Sequence, residues 1–242
     1  MNEEPRPIEK YFVEALGTFI LVWIGPGAAT VAGLIGLEGL GGLMAIAMAF
    51  GFAVAAAIYV LGRTSGCLIN PAVAVALLAT RRLSWKDAGG YIVAQLIGAV
   101  VASLAFVACL GPQAAVDYNL GGTFLNDAAG VTMLMGFIGE AIGTFILMLT
   151  IMGVCIDKDA PPGWCGWIVG MVVAGIIITL GPMTGSSINP ARTFGPYVGN
   201  QIFGGKAPWD QFIVVYTLGP IVGAVVAAFV WDLGHKSQKE AE

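Results

Sequence analysis

Six long hydrophobic stretches, separated by short polar or mixed segments, dominate the pattern of the chain. They lie at about residues 7–34, 40–62, 88–110, 131–155, 164–183 and 210–233. Each stretch is long enough to cross a hydrocarbon core of about 30 Å as a helix. The pattern therefore predicts an all-α polytopic membrane protein with six transmembrane helices.

Two connections between these stretches, Arg63 to Asp87 and Thr184 to Trp209, are too long and too apolar to be plain loops. Each contains the triplet Asn-Pro-Ala, at Asn70, Pro71 and Ala72 and again at Asn189, Pro190 and Ala191. Asn is a good N-cap and Pro is favoured in the first turn, so each triplet predicts the start of a helix. The apolar runs that follow give only about 15 Å of helix each. Because lipid-exposed irregular backbone is not tolerated, we expect two re-entrant half-helices.

The two halves of the chain repeat one another. The stretch EALGTFIL that begins at Glu14 recurs as EAIGTFIL from Glu140. Small residues four apart, which predict helix-packing faces, also recur, as Ala94, Gly98 and Ala102 and as Gly219, Gly223 and Ala227. Each half has three spans, an odd number, so the second half must be inverted relative to the first. We expect one domain, residues 1–242, made of inverted repeats at about 7–110 and 131–233, with its functional site near the midplane.

Composition and charge exclude several functions. Hydrophobic residues make up 57% of the chain and charged residues only 11%, against about 25% charged in soluble domains. With a net charge of -4 and no long basic run, we expect a lipid bilayer as partner and no nucleic acid. The single histidine, His235, lies at the polar C-terminus, and no nucleophile–base pair is visible. We therefore predict no enzyme activity, no catalytic residue, no cofactor and no metal site.

Lysines and arginines are distributed unequally between the two sides of the predicted bundle. With both termini on one side, that side collects Arg6, Lys10, Arg63, Arg81, Arg82, Lys86, Lys158, Lys236 and Lys239. The other side keeps Lys206, and Arg192 lies in the second re-entrant segment. The positive-inside rule then places both termini in the cytoplasm. The first span is too long for a signal-peptide core and has no convincing cleavage site, so we expect it to stay in the mature chain.

The four cysteines and the two glutamates within the predicted spans are interpreted as structural residues. Cys67, Cys109, Cys155 and Cys165 lie in or beside apolar segments, and we expect them to be small buried apolar side chains. Glu14 and Glu140 lie about 12 Å along their helices. They could be ion sites of a transporter, but we favour carboxylates that accept N–H groups of the re-entrant loops and hold those loops in shape.

The segments SGCLINPAV, residues 65–73, and GSSINPAR, residues 185–192, resemble the two signature loops of the major intrinsic proteins, the aquaporins and glycerol facilitators. With the paired Glu-x-x-Gly-Thr-Phe segments, the resemblance covers the whole chain and is strongest to archaeal aquaporins. It implies an aquaporin-like bundle of six helices and two half-helices. It also implies one pore per subunit and a homotetramer in the cell membrane.

Carried over residue by residue, the resemblance places a selectivity filter at Phe50, Ile177, Ser186 and Arg192. Ile177 stands where strict water channels have His, and Thr193 where glycerol facilitators commonly have Asp. Leu68 likewise stands where the first loop usually has His. The position of Arg192 also indicates a pore residue independently of the resemblance. A cation in the first turn of a helix opposes the helix dipole, and it is costly in a membrane unless it lines water.

The function predicted from these features is a passive channel for water, and also for small neutral solutes such as glycerol, that excludes protons and ions. Two helix N-termini at mid-membrane create positive potential there, and the amides of Asn70 and Asn189 can orient a passing water molecule. A secondary transporter, which also uses inverted repeats and broken helices, is the alternative. A structural junction protein is a third class, with no support from the short termini and outer loops.

Overall fold

The computed structural model describes residues 5–239, with side chains from residue 5 to residue 235. The side chains of Lys236 and Lys239, counted above for orientation, lie outside the described part. Within residues 5–239, six helical segments are long and apolar enough to cross a membrane. The predicted all-α fold with six spans is therefore confirmed.

The helices follow the predicted order along the chain. They are α1 (Pro7–Leu34), α2 (Gly39–Ser65), α3 (Pro71–Ala79), α4 (Trp85–Leu110), α5 (Gln113–Tyr118), α6 (Met133–Ile151), α7 (Cys165–Thr184), α8 (Pro190–Ile202), α9 (Trp209–Ile213) and α10 (Gly219–Lys239). A π-helical turn at Met152–Ile156 extends α6, and another at Val214–Leu218 joins α9 to α10. The short helices α3 and α8 are the half-helices that begin at the two Asn-Pro-Ala triplets.

Glycines at matching positions let the long helices approach closely. A Cβ on Gly98 of α4 would lie 2.1 Å from the carbonyl oxygen of Ala15 in α1. A Cβ on Gly223 of α10 would lie 2.0 Å from the carbonyl oxygen of Ala141 in α6. Both distances are far inside van der Waals contact, so any side chain at either position would push the helices apart. The small-residue stripes predicted from the sequence thus lie at helix–helix contacts in both halves.

The cysteine prediction is wrong for three of the four residues. Cys155, in the π-helical turn after α6, forms a disulfide with Cys165, the first residue of α7, with a Cα–Cα distance of 5.1 Å. Cys109 is exposed near the end of α4, and only Cys67 is a buried free thiol. The sequence pattern did not reveal the disulfide, because the two cysteines are ten residues apart across a connection whose path the pattern does not fix.

Candidate pore

The two half-helices begin with the same cap. The Oδ1 atom of Asn70 accepts a hydrogen bond from the Ala72 amide at 2.9 Å. Oδ1 of Asn189 accepts from the amide of Ala191 at 3.0 Å and from that of Arg192 at 3.3 Å. Each side-chain oxygen is therefore used to cap its own helix, and each side-chain nitrogen is left to point elsewhere.

The side-chain nitrogens of these asparagines join the two re-entrant segments to each other. Nδ2 of Asn70 donates to the carbonyl of Ile188 at 2.8 Å, and Nδ2 of Asn189 donates to the carbonyl of Ile69 at 2.7 Å. An amide nitrogen carries two hydrogens. These reciprocal bonds use one hydrogen on each side and leave the second for another acceptor.

The backbone before each half-helix adopts the same unusual conformation. Cys67 and Ile69 in the first segment have φ values of 49° and 45°, and Ser186 and Ile188 in the second have 48° and 46°. A left-handed conformation is uncommon for any residue with a side chain and rare for a β-branched one such as Ile. Such strain persists only where surrounding contacts enforce it.

Glu14 supplies those contacts in the first half. Its side chain is fully buried and accepts four hydrogen bonds. Oε1 accepts from the Ser65 hydroxyl at 2.6 Å and from the Leu68 amide at 2.9 Å. Oε2 accepts from the Ile69 amide and from Nε2 of Gln95, both at 2.8 Å. Donors from the end of α2, from the loop and from α4 thus converge on one carboxylate, which holds the loop in its left-handed conformation.

Glu140 does the same in the second half with one donor fewer. Oε1 accepts from the Thr184 hydroxyl at 2.7 Å and from the Ser187 amide at 2.9 Å, and Oε2 accepts from the Ile188 amide at 2.6 Å. Pro220 stands at the position that matches Gln95 in the repeat and has no side-chain donor. Each loop is therefore held by one buried carboxylate, but the first carboxylate accepts four hydrogen bonds and the second accepts three.

One cavity of about 480 Å³ passes both asparagines. At one end it is lined by Arg63, Gly163 and Cys165, which form a mouth. Farther in, its wall is largely apolar, with Leu21, Val54, Val73, Leu147, Val169 and Val173. Asn70 and Asn189 lie along it, and all four predicted filter residues, Phe50, Ile177, Ser186 and Arg192, also line it. The two asparagines and the four predicted filter residues are thus brought together on one cavity. The prolines and alanines of the two triplets are not among its lining residues, and neither are Glu14 and Glu140.

Arg192 has a defined position among the filter residues. Its guanidinium carbon lies 4.8 Å from the centre of the Phe50 ring, and one terminal nitrogen donates to the carbonyl of Gly121 at 2.8 Å. Among the described residues, Nε of Arg192 and Oγ of Ser186 are buried and have no protein hydrogen-bond partner. Buried polar atoms are nearly always satisfied. These two atoms are therefore suited to bond a polar solute in the cavity.

The segment that holds Arg192, residues 119–123, was not predicted from the sequence. Asn119, Leu120 and Gly121 are all left-handed, with φ values of 51°, 50° and 63°. A Cβ on Gly121 would lie 2.1 Å from the carbonyl oxygen of Pro26 in α1, so only glycine fits there. This packing turns the Gly121 carbonyl toward the arginine.

A chain of hydroxyl groups connects that segment to α8. The Thr123 hydroxyl lies 2.9 Å from the Thr193 hydroxyl, which donates to Oγ of Ser187 at 2.7 Å. The hydroxyl of Tyr197 donates to the Thr123 carbonyl at 2.7 Å. Thr193 is the residue whose departure from Asp was noted in the sequence, and that departure was the only signal for this network. Its partner Thr123 carried no signal, because the fold alone brings it to α8.

Comparisons with known proteins agree with this architecture. The family model of the major intrinsic proteins matches residues 2–231. The chain is 48% identical to the probable aquaporin AqpM of Archaeoglobus fulgidus, over 93% of this chain and 96% of the relative. It is 39% identical to glycerol uptake facilitator protein-like 6 of Lactiplantibacillus plantarum, over 92% of this chain and 96% of that protein. The X-ray structure of the aquaglyceroporin from Plasmodium falciparum superposes with a TM-score of 0.86 at 27% identity, covering 98% of this chain and all of the other.

The chain belongs to the major intrinsic protein family. It is a multi-pass membrane protein of a family of passive channels rather than enzymes, as predicted. The resemblance noted in the sequence to archaeal aquaporins is also confirmed. Family membership favours the channel over the transporter and junction alternatives.

Proposed function

We propose that this protein conducts water and small neutral solutes such as glycerol through the cavity described above, and that it excludes protons and ions. The observation that carries the proposal is one cavity lined by both half-helix caps and by a buried arginine. The names of the aquaporin and glycerol facilitator relatives support the same solute range.

Asn70 and Asn189 act as the midpoint of the pore. Each has one side-chain N–H already bonded to the opposite loop, which leaves the second N–H to donate to a passing water oxygen. A water molecule that accepts from both asparagines must point its hydrogens away from them. That orientation interrupts a hydrogen-bonded file along which protons would otherwise move, and the positive ends of α3 and α8 oppose cations at the same depth.

Phe50, Ile177, Ser186 and Arg192 form the selectivity filter. Arg192 provides a fixed positive charge and Ser186 a hydroxyl, while Phe50 and Ile177 contribute apolar walls. A carbon chain that carries hydroxyl groups fits this combination, because its hydroxyls can bond on one side and its carbons lie against the other. Ile177, in place of a histidine, removes a polar contact and favours glycerol passage alongside water.

Glu14 and Glu140 are the loop-supporting carboxylates, and the chain is a single domain of two inverted repeats at about 7–110 and 131–233. The support for this comes from matched caps, matched left-handed residues and matched carboxylate bonds in the two halves. We further propose a homotetramer in the cell membrane with both termini cytoplasmic, supported by the family resemblance and the distribution of basic residues.

Stopped-flow light scattering on proteoliposomes tests the proposal. The purified protein should raise permeability to water and glycerol above that of protein-free liposomes, and leave permeability to a charged solute unchanged. Water permeability equal to that of the lipid alone would refute the channel. Native mass spectrometry in detergent tests the tetramer.

A further inference from the structure

The Cys155–Cys165 disulfide lies at the mouth of the cavity. Both residues line the cavity together with Arg63, Gly163 and Gly166. Both residues are only partly buried, so the pair faces the cavity rather than the packed interior. The disulfide joins the π-helical turn that ends α6 to the first residue of α7. The bond thus connects two walls of the opening rather than two points in the interior.

Among the described residues, the connection closed by this disulfide, residues 157–164, has one side-chain hydrogen bond to α2. The hydroxyl of Tyr59 in α2 donates to the Gly163 carbonyl at 2.9 Å and accepts from the Trp167 amide at 3.1 Å. The connection itself is exposed and includes Pro161, Pro162 and Trp164, which are apolar. Cleavage of the disulfide would leave the hydroxyl of Tyr59 to hold this connection against α2 at the rim of the mouth.

The proposed orientation makes this position unusual for a disulfide. With both termini in the cytoplasm, the connection between α6 and α7 also faces the cytoplasm. Disulfides in that compartment are uncommon outside hyperthermophiles, and those that occur are often redox-active. A partly exposed disulfide on the wall of a pore therefore requires more than a purely structural explanation.

We propose that the Cys155–Cys165 pair is a thiol–disulfide exchange site whose redox state sets the width of the cytoplasmic mouth. The inference rests on the proposed function and orientation. Its substrate class is a dithiol reductant. One thiolate of the dithiol attacks a sulfur of the pair and forms a mixed disulfide, and its second thiol then displaces the protein sulfur. Two electrons and two protons pass to Cys155 and Cys165, which become thiols, and the dithiol becomes a disulfide.

The oxidised form is the open one. The bond holds the ends of α6 and α7 together, which keeps residues 157–164 at the rim. Once the bond is reduced, those residues can move over the mouth. Apolar side chains such as Pro161, Pro162 and Trp164 would then cover the apolar wall of the cavity, which is favourable because it removes apolar surface from water. Reduction should therefore lower water flux.

The test measures water flux through the same proteoliposomes after oxidation, after dithiothreitol treatment and after reoxidation, with peptide mass spectrometry to report the state of the pair. We expect flux to fall by about twofold or more on reduction and to recover on reoxidation, as for a loop that gates a rate-limiting opening. The double variant Cys155→Ser/Cys165→Ser should show the low flux and no response to dithiothreitol. The variant Cys109→Ser, which removes the exposed free thiol, should respond as the parent does.

Equal or higher flux from the reduced protein would overturn this inference and leave the proposed channel intact. Absence of protein-dependent flux in both the oxidised and the reduced protein would overturn the channel and this inference together. Should the double serine variant fail to fold, the reversible response of the parent protein still decides the matter, because it compares one protein with itself.

Discussion

The two re-entrant segments share their backbone and differ in their side chains. Both have a capping asparagine, two left-handed residues and a buried glutamate that accepts loop amides. At the residue that follows the Asn-Pro-Ala triplet, the first segment has Val73 and the second has Arg192. We infer that the shared features shape the pore, whereas Arg192, which has no counterpart in the first half, adds the charge of the proposed filter.

The largest effect should come from replacing a buried carboxylate that accepts the amides of a re-entrant loop. Glu14→Gln replaces one carboxylate oxygen with an NH₂ group, so two of the four donors on Glu14 lose their acceptor. Each unsatisfied buried donor costs about 1–3 kcal/mol. In Glu140→Gln, the new NH₂ group can replace Oε2, which accepts only the Ile188 amide. One donor then loses its acceptor, so the loss of stability should be smaller. The thermal unfolding midpoint in detergent should fall in both variants, and farther for Glu14→Gln.

Gln95→Leu is the matched control for this pair. It leaves Glu14 with three donors, the number that Glu140 has, and should lower the unfolding midpoint least of the three. Equal midpoints for Glu14→Gln and the parent would show that the carboxylate does not support the loop.

The second-largest effect should come from replacing Arg192 with valine, the residue at the equivalent position of the first half. Arg192→Val removes the fixed charge and the donors at the filter, so protons and small cations should enter more readily. Water should still pass, because the asparagines are unchanged. Conductance of planar bilayers and pH-sensitive dye in proteoliposomes measure the leak. Val73→Ala, at the equivalent position in the first half, should produce no leak, and a leak of equal size there would contradict the assignment.

The third effect concerns Ile177 and the ratio of glycerol to water permeability. Ile177→His adds bulk and a polar group to the filter, and glycerol permeability should fall by about tenfold while water permeability persists. Parallel measurements of water and glycerol flux in proteoliposomes give the ratio. Ile177→Leu, which keeps the apolar wall, should retain the ratio of the parent. Undiminished glycerol flux in the histidine variant would place the constriction elsewhere.

The smallest effect should come from the hydroxyl chain behind Arg192. Thr193→Val keeps the shape but removes the bonds to Thr123 and Ser187, each worth about 1 kcal/mol. The segment that carries the Gly121 carbonyl should then hold the arginine less firmly, and the glycerol-to-water ratio should rise. Thr179→Val is the control, because the Thr179 hydroxyl bonds only its own helix at Gly175. Identical glycerol-to-water ratios in the two variants would show that Thr193 does not help to hold the filter in place.

The sequence predicted what depends on local pattern. Hydrophobic length determined the six spans, the Asn-Pro pairs determined where α3 and α8 begin, and the repeat paired Glu14 with Glu140. These features are visible because each depends on residues near one another in the chain or on a long periodic pattern.

What the sequence did not predict depends on distant segments that the fold brings together. Thr123 meets Thr193 across 70 residues, and Gly121 reaches Arg192 across 71. The left-handed Ile69 and Ile188 run against the conformational preference of isoleucine, and they are held by the buried carboxylates and by the two asparagines from distant parts of the chain. The disulfide of Cys155 and Cys165 was missed because the path of the connection between them is set by tertiary contacts.

The central claim, a passive channel formed by the two half-helices, is tested most directly by water flux through proteoliposomes at several temperatures, with and without imposed sodium and proton gradients. We predict a low activation energy, below that of the lipid alone, and the same flux under every gradient. A flux that follows either gradient, or an activation energy equal to that of protein-free liposomes, would contradict the claim.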